Sequence, residues 1–559
     1  MKHLKQKPKF TKTKAKTKQY LVKLNFSGLV FGLAFYCFSV LPSLLPRPWL
    51  FQGIISGISI AIGYGLGVAI SKAMRWIFEH EPPDIFKYWA WQILKYLGVT
   101  IFLIYLFLGT IWQAEVRKLI EATTSDGRFL LRTFLVTILV SVTLIAIGRI
   151  LVKLNNWTIK QIDKILPRRA SMGLGFLAVT VFVWWILSGV FFNFFVSQSN
   201  RIYYKRNNST PTGVMQPVSA NRSGSNQSLV SWDSLGFQGK RFVSGGATQN
   251  QLKEFSDESV KDPIRVYAGV ASANSASARA QLAVNELKRT KAFDRQVLVV
   301  ATPTGTGWLE PQTVDSLEYI FGGDSAIVAQ QYSYLPSWIS FLVDQQNARD
   351  AGRALYDAVY AEWSKLPENS RPKLIIYGLS LGSFGGKSAF SGVNHLRLTS
   401  DGALFVGTPN ETELWRTITS QRDKGSPEWQ PIYQEGTAVH FADSNEAILA
   451  NQTNWQKPRV LYMQHASDPV VWFSFDLIYN KPDWLNEKRG KDVSPTMRWY
   501  PFVTFIQVGI DQFFGTTVPN GHGHNYPNTI VNAWVAATSP PDWSQSKSES
   551  LQKLINNYD

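Results

Sequence analysis

The chain has 559 residues, 45% of them hydrophobic and 13% aromatic, with 57 Lys+Arg against 40 Asp+Glu and a formal charge of +17. This composition excludes a disordered or collagen-like polymer, and the single cysteine, Cys37, excludes a disulfide framework or a Cys-rich zinc module. The excess charge is lopsided: residues 1–200 carry 24 basic and 7 acidic side chains, whereas 201–559 carry 33 of each, so no nucleic-acid partner is expected for the larger part.

Residues 1–24 hold nine lysines, Lys2 to Lys23, and no acid, and read as a basic cytoplasmic tail. Five apolar segments follow, at about 25–45, 50–71, 88–112, 130–151 and 171–195. Each offers the ~20 helical residues that cross a hydrocarbon core about 30 Å thick. The first is too long for a signal-peptide core and no small-residue cleavage site follows it. The second is rich in Gly and Ser, which permits close helix packing. Lys95 and Arg132 fall where long side chains snorkel towards a span end. The tail and the 152–169 loop (Lys153, Lys160, Lys164, Arg168, Arg169) are the most basic flanks, whereas 113–129 includes Glu115, Glu121 and Asp126. Basic flanks stay cytoplasmic, so five spans in the cell (inner) membrane place everything after about residue 196 outside the cytoplasm.

Residues 200–235, dominated by Asn, Ser, Thr, Gly and Pro, read as a linker. The texture then changes. Within 236–559 the runs 264–270, 296–302, 325–332, 373–378, 402–407 and 459–464 have the continuous apolar character of buried strands. Helical spacing at 276–290 and 345–365 separates some of them, which predicts a mostly parallel sheet with helices on both faces.

Gly378-Leu379-Ser380-Leu381-Gly382 is a G-x-S-x-G motif directly after a strand-like run and before a helix-compatible stretch, the setting of a nucleophile elbow. On such a turn Ser380 is presented at the strand's C-terminal end, and the Leu381 N–H faces a developing oxyanion. The base and acid follow in the order acid, then histidine. Two histidines lie far enough downstream, His522 and His524; His524 is favoured because its G-x-G-H pattern leads into the helical stretch 527–537, and His522 stays as the alternative base. The pair also has the form of a metal-ligand couple, but no third and fourth ligand accompany it, so no metal or cofactor is expected. Asp468, just beyond the 459–464 run, is the acid of choice; Asp476 and Asp443 are fallbacks. As an Asp before Pro it also suits a helix N-cap. A second oxyanion donor is sought after the 296–302 strand, at Thr304 or Gly305.

The stretches RVYAGV, ARAQLAVNELKRTKAFDRQVLVVATPTGTGWLEP, QQYSYLPSW, GLSLGSFGG, QHASDPVVW and VPNGHGHNY cover most of 262–540. Together they resemble a bacterial family of membrane-anchored α/β-hydrolases with a multi-spanning N-terminal region. Many members have Glu before the nucleophile, where this chain has Leu379. The resemblance implies an all-α transmembrane bundle of about five helices followed by an α/β-hydrolase fold, with Ser380, Asp468 and His524 as triad. Residues 410–456 are expected to cap the site, where Trp415, Trp429, Trp455 and Tyr433, with Trp472 and Trp484 beyond, suit an apolar substrate group. The expected activity is a serine hydrolase, an esterase or acyltransferase on lipid-like or envelope acyl esters, with membrane lipids and an ester substrate as partners. A peptidase on the same fold, and a transporter or sensor with a non-catalytic hydrolase-like module, are the alternatives. Nothing in the sequence sets an oligomeric state.

Overall fold

A computed structural model describes residues 24–78, 83–123, 129–256, 259–450 and 455–557; the expected basic tail lies outside these, except for Leu24. Four helices are long and apolar enough to cross a membrane: α2 (Trp49–Phe78), α3 (Asp84–Leu119), α4 (Phe129–Ile162) and α5 (Arg168–Asn207). They match the last four predicted spans. Within α5, Trp185–Phe192 is wound as a π-helix.

The first predicted span is shorter than expected. Helix α1 covers only Phe26–Ser39, 14 residues, about 21 Å at 1.5 Å per residue. Pro42, Pro46 and Pro48 explain the stop, since each lacks an N–H and disfavours helix in the residue before it. The apolarity that prolonged the prediction serves another purpose. Leu44 and Leu45 are fully buried in the core of the C-terminal half. Helix α1 lies antiparallel on α2, and the glycines of α2 allow it: a Cβ on Gly67 would sit 2.3 Å from the Ser27 carbonyl oxygen, and one on Gly63 2.5 Å from that of Phe31.

The C-terminal half is built on seven parallel strands in the order β1-β3-β2-β4-β5-β7-β6. They are β1 (Ile264–Ala268), β2 (Val297–Thr302), β3 (Ser325–Gln330), β4 (Lys373–Leu379), β5 (Gly402–Val406), β6 (Val439–Ala442) and β7 (Arg459–Met463). Alternation along each strand divides the core. Val266, Leu298, Val300, Ile376 and Phe405 face helices Ala276–Arg289 and Gln345–Trp363. Tyr267, Val299, Ile375, Leu404 and Met463 face helices Pro311–Ile320 and Ile530–Thr538. All six predicted strands are present.

Two segments differ from expectation. Residues 410–456 are not one excursion, because Val439–Ala442 forms β6 at the sheet edge. The 200–235 segment is docked: α5 continues to Asn207, and Ser223 N donates to the Arg265 carbonyl of β1 at 3.0 Å while Arg265 N donates to the Asn221 carbonyl at 3.1 Å.

The halves are joined by a buried polar lock. Arg47, between α1 and α2, donates from Nε to Asp511 Oδ1 at 2.8 Å, with both side chains fully buried. Ser43 donates to Asp511 Oδ2 at 2.5 Å, Arg47 Nη1 to Gln52 at 3.0 Å, and Arg47 N to Gln113 at 2.7 Å. Further along, the Ser494 hydroxyl donates to Glu115 at 2.7 Å.

Candidate active site

Strand β4 ends in a sharp turn. Ser380 has φ +57° and ψ −126°, a conformation costly for a residue with a Cβ, and helix Leu381–Gly386 starts immediately after it. The turn is held by Ser380 N donating to the Val406 carbonyl at 2.9 Å. Both motif glycines are sterically required. A Cβ on Gly378 would lie 2.6 Å from Ser383 Cα, and one on Gly382 2.1 Å from the Thr302 carbonyl oxygen. Leu381 opens the helix, so its N–H has no acceptor within it.

Asp468 follows β7 and is fully buried. Its two carboxylate oxygens have different partners. Its Oδ1 caps helix Pro469–Trp472 by accepting from Val470 N at 2.8 Å, and its Oδ2 accepts from His524 Nδ1 at 2.7 Å. That contact fixes the imidazole with Nε2 as its free position. Nε2 is buried with no hydrogen-bond partner among the described residues, and His524 and Ser380 line the same cavity.

His522 is set apart from Ser380. Its Nδ1 lies 3.4 Å from Asp492 Oδ2, and it does not line the cavity. Burial pushes the Asp492 carboxyl up, but hydrogen bonds from His522 and Ser467 and the nearness of His465 outweigh it and hold the group below the usual carboxylate range. These neighbours pin the loop that carries His524. Ser467 donates to Asp492 at 2.5 Å and accepts from Gly523 N at 2.8 Å, while His465 Nδ1 donates to the Gly523 carbonyl at 2.8 Å. Of the fallback acids, Asp476 accepts from the Tyr479 hydroxyl at 2.8 Å on the surface, and Asp443 is not a partner of His524.

Two further residues complete the site without a signature in the sequence. Tyr526 donates its hydroxyl to Asp468 Oδ2 at 2.6 Å and stacks on His465 at 4.1 Å. Burial, and then the Asp468 charge, push its phenol well above the usual value, so it remains a donor. Gly407 has φ +53°, and a Cβ there would come within 2.3 Å of His524 Cε1 and 3.1 Å of Asp468 Oδ2. Tyr526→Phe keeps the ring and deletes one of two side-chain donors to Asp468. A roughly tenfold fall in kcat with KM little changed is expected, about 1.4 kcal/mol of a charge-assisted hydrogen bond; steady-state kinetics on an activated ester checks it.

The second oxyanion donor is corrected in part. The Thr304 N–H is occupied by the Trp308 carbonyl at 3.0 Å, although Thr304 lines the cavity. Among the described residues the Gly305 N–H meets only the Ser337 hydroxyl, at 3.4 Å. The aromatic wall also differs. Trp415, Trp455, Trp472 and Trp484 are buried in the core, with Trp472 ringed by Trp415 at 6.0 Å and Trp484 at 5.6 Å, and none lines the cavity. Trp429 and Tyr433 do not line it either. The cavity holds about 580 Å³, and its aromatic residues are Trp308, Trp338, Phe341, Phe473, Phe513 and Tyr526.

Comparison with known sequences agrees with this architecture. A family described as "Alpha/beta-hydrolase family" matches residues 264–551, and one described as "Alpha/beta-hydrolase family N-terminus" matches residues 40–247. No curated protein and no solved structure matches the chain.

Proposed function

The chain belongs to this alpha/beta-hydrolase family, and on that premise we propose that it is a membrane-held serine hydrolase of carboxylic esters with a lipid-like acyl part. The observation that carries the reading is His524, paired with buried Asp468 through Nδ1 and left with a free Nε2 in the cavity that Ser380 lines. In this mechanism Ser380 Oγ attacks the ester carbonyl carbon while its proton passes to His524 Nε2. The carbonyl electron pair moves onto oxygen, opposite the Leu381 N–H at the helix start. Asp468 keeps the imidazole in the required tautomer and stabilises the imidazolium. Collapse expels the alcohol, which takes the proton back from His524. Water, activated by the same base, then releases the carboxylic acid from Ser380; an alcohol in its place gives acyl transfer.

The same reading places the basic tail on the cytoplasmic face of the inner membrane and the hydrolase half across the bilayer. Support comes from the lysine-rich flanks and from the direction of α1, which runs antiparallel on α2 and so begins at the end of the helices away from the Arg47–Asp511 contact with the hydrolase half. A fluorophosphonate probe should label the wild-type protein covalently and leave Ser380→Ala unlabelled. Equal labelling of the two would sink the assignment.

A further inference from the structure

The mouth of the Ser380 cavity is shared between the hydrolase half and the apolar helices. Trp338 and Phe513 line the cavity yet are 39% and 48% exposed. Each is also in ring contact with one of the apolar helices. Phe195 of α5 lies 5.8 Å from Trp338, Trp338 lies 5.4 Å from Phe513, and Phe51 of α2 lies 6.3 Å from Phe513 and 4.6 Å, edge to face, from Phe514. A continuous row of aromatic rings therefore runs from α5 across the cavity mouth to α2.

Position along the helices sets the depth of this row. Phe51 is the third residue of α2, at the end next to the hydrolase half. Phe195 stands 27 residues beyond the start of α5, past the ~20 residues that a hydrocarbon core takes up. Both rings thus stand where a bilayer gives way to headgroups, the level at which aromatic belts form. Leu342, 55% exposed on the same short helix as Trp338 (Ser337–Val343), extends the apolar rim outward. Exposed Trp, Phe and Leu around an open mouth are costly in water and suit a lipid interface.

We infer that this row is a lateral portal, through which a lipid ester resident in the bilayer passes its acyl chain between α2 and α5 into the cavity and presents its carbonyl to Ser380. The inference rests on the hydrolase reading of Ser380 and names its substrate class. The polar lock gives the portal its fixed geometry: Asp511, held by Arg47, is followed directly by Gln512 and Phe513, which line the cavity. An acyl chain of a bilayer lipid is the occupant because the volume of about 580 Å³ lies within the ~300–1,000 Å³ range of ligand sites and the opening faces the apolar helices.

The test uses the full chain in phospholipid vesicles and two covalent probes: a hexadecyl fluorophosphonate dissolved in the bilayer and a short-chain, water-soluble fluorophosphonate. Phe195→Asp and Phe51→Asp place a carboxylate in the portal but outside the cavity wall. Each should slow labelling by the bilayer probe at least tenfold relative to the soluble probe, and Phe195→Leu should restore the ratio. Continued reaction with the soluble probe reports that the variant is folded. Equal slowing of both probes, or of neither, overturns the portal. Failure of both probes to label the wild type overturns the hydrolase reading itself, whereas labelling of the wild type by the soluble probe alone overturns the portal.

Discussion

Asp468→Asn should lower kcat on an activated ester by about 10⁴, roughly 5.5 kcal/mol of transition-state stabilisation. The expectation follows from the hydrogen-bond directions. Asp468 Oδ2 accepts from both His524 Nδ1 and the Tyr526 hydroxyl, and Oδ1 accepts from Val470 N. An asparagine must present an NH₂ in place of one of these acceptors. When that NH₂ faces His524, Nδ1 becomes the acceptor, the ring proton moves to Nε2, and the base can no longer receive the Ser380 proton. Stability changes less, because the amide still fills the site and still caps Pro469–Trp472. Kinetics paired with thermal unfolding separates the two effects; a loss of activity below tenfold would assign the orienting acid elsewhere.

Arg265→Met is the substitution with the largest expected effect on stability. Arg265 on β1 donates to Glu318 at 2.7 and 2.8 Å, to Asp315 at 2.6 Å and to the Phe242 carbonyl at 2.8 Å, and all three charged side chains are buried. Removing the cation leaves two carboxylates without their counterion, a cost of about 3–5 kcal/mol for one broken buried pair. A drop in Tm on the order of 10 °C is expected. The pH dependence has a definite sign. Burial raises the Asp315 carboxyl to about 6 against the pull of Arg265. A folded-state pKa above the unfolded one means the native state binds more protons between about pH 4 and 6, so this group's contribution falls as pH rises through that window. Without Arg265 the carboxyl rises further, and the variant should lose more Tm at pH 8 than at pH 5. Equal losses at both pH values would show that the pair's charge is not what matters.

The sheet was readable because parallel strands buried on both faces are continuous apolar runs. β6 carries no such signal because it is four residues long, contains His440, and sits in an insertion rich in aromatics. The tryptophans there pack with one another and with the core, which composition cannot distinguish from lining a site. The first apolar segment outruns its helix for a related reason: hydropathy does not say whether Leu44 and Leu45 face lipid or a protein core. At the site, Ser380, Asp468 and His524 stood out because chain order and strand ends constrain them. Tyr526 and Gly407 did not, since one aromatic two residues after a histidine and one glycine after a strand are common patterns whose role depends on a neighbour distant in sequence. Position after β2 singles out Thr304, and only the turn closing onto Trp308 shows that its N–H is already engaged.

Leu44, Leu45 and Ile120 belong to the same buried cluster as the sheet and its flanking helices. The membrane part is therefore a piece of the enzyme's interior and not a leash. During synthesis these residues emerge first, so the later half finishes folding against a surface already in place. A fragment starting at residue 236 would lack these three core side chains and also Val230 and Leu235 of the opposite face, and would leave Asp511 without Arg47 and Ser43. Such a fragment is expected to be sticky and poorly folded.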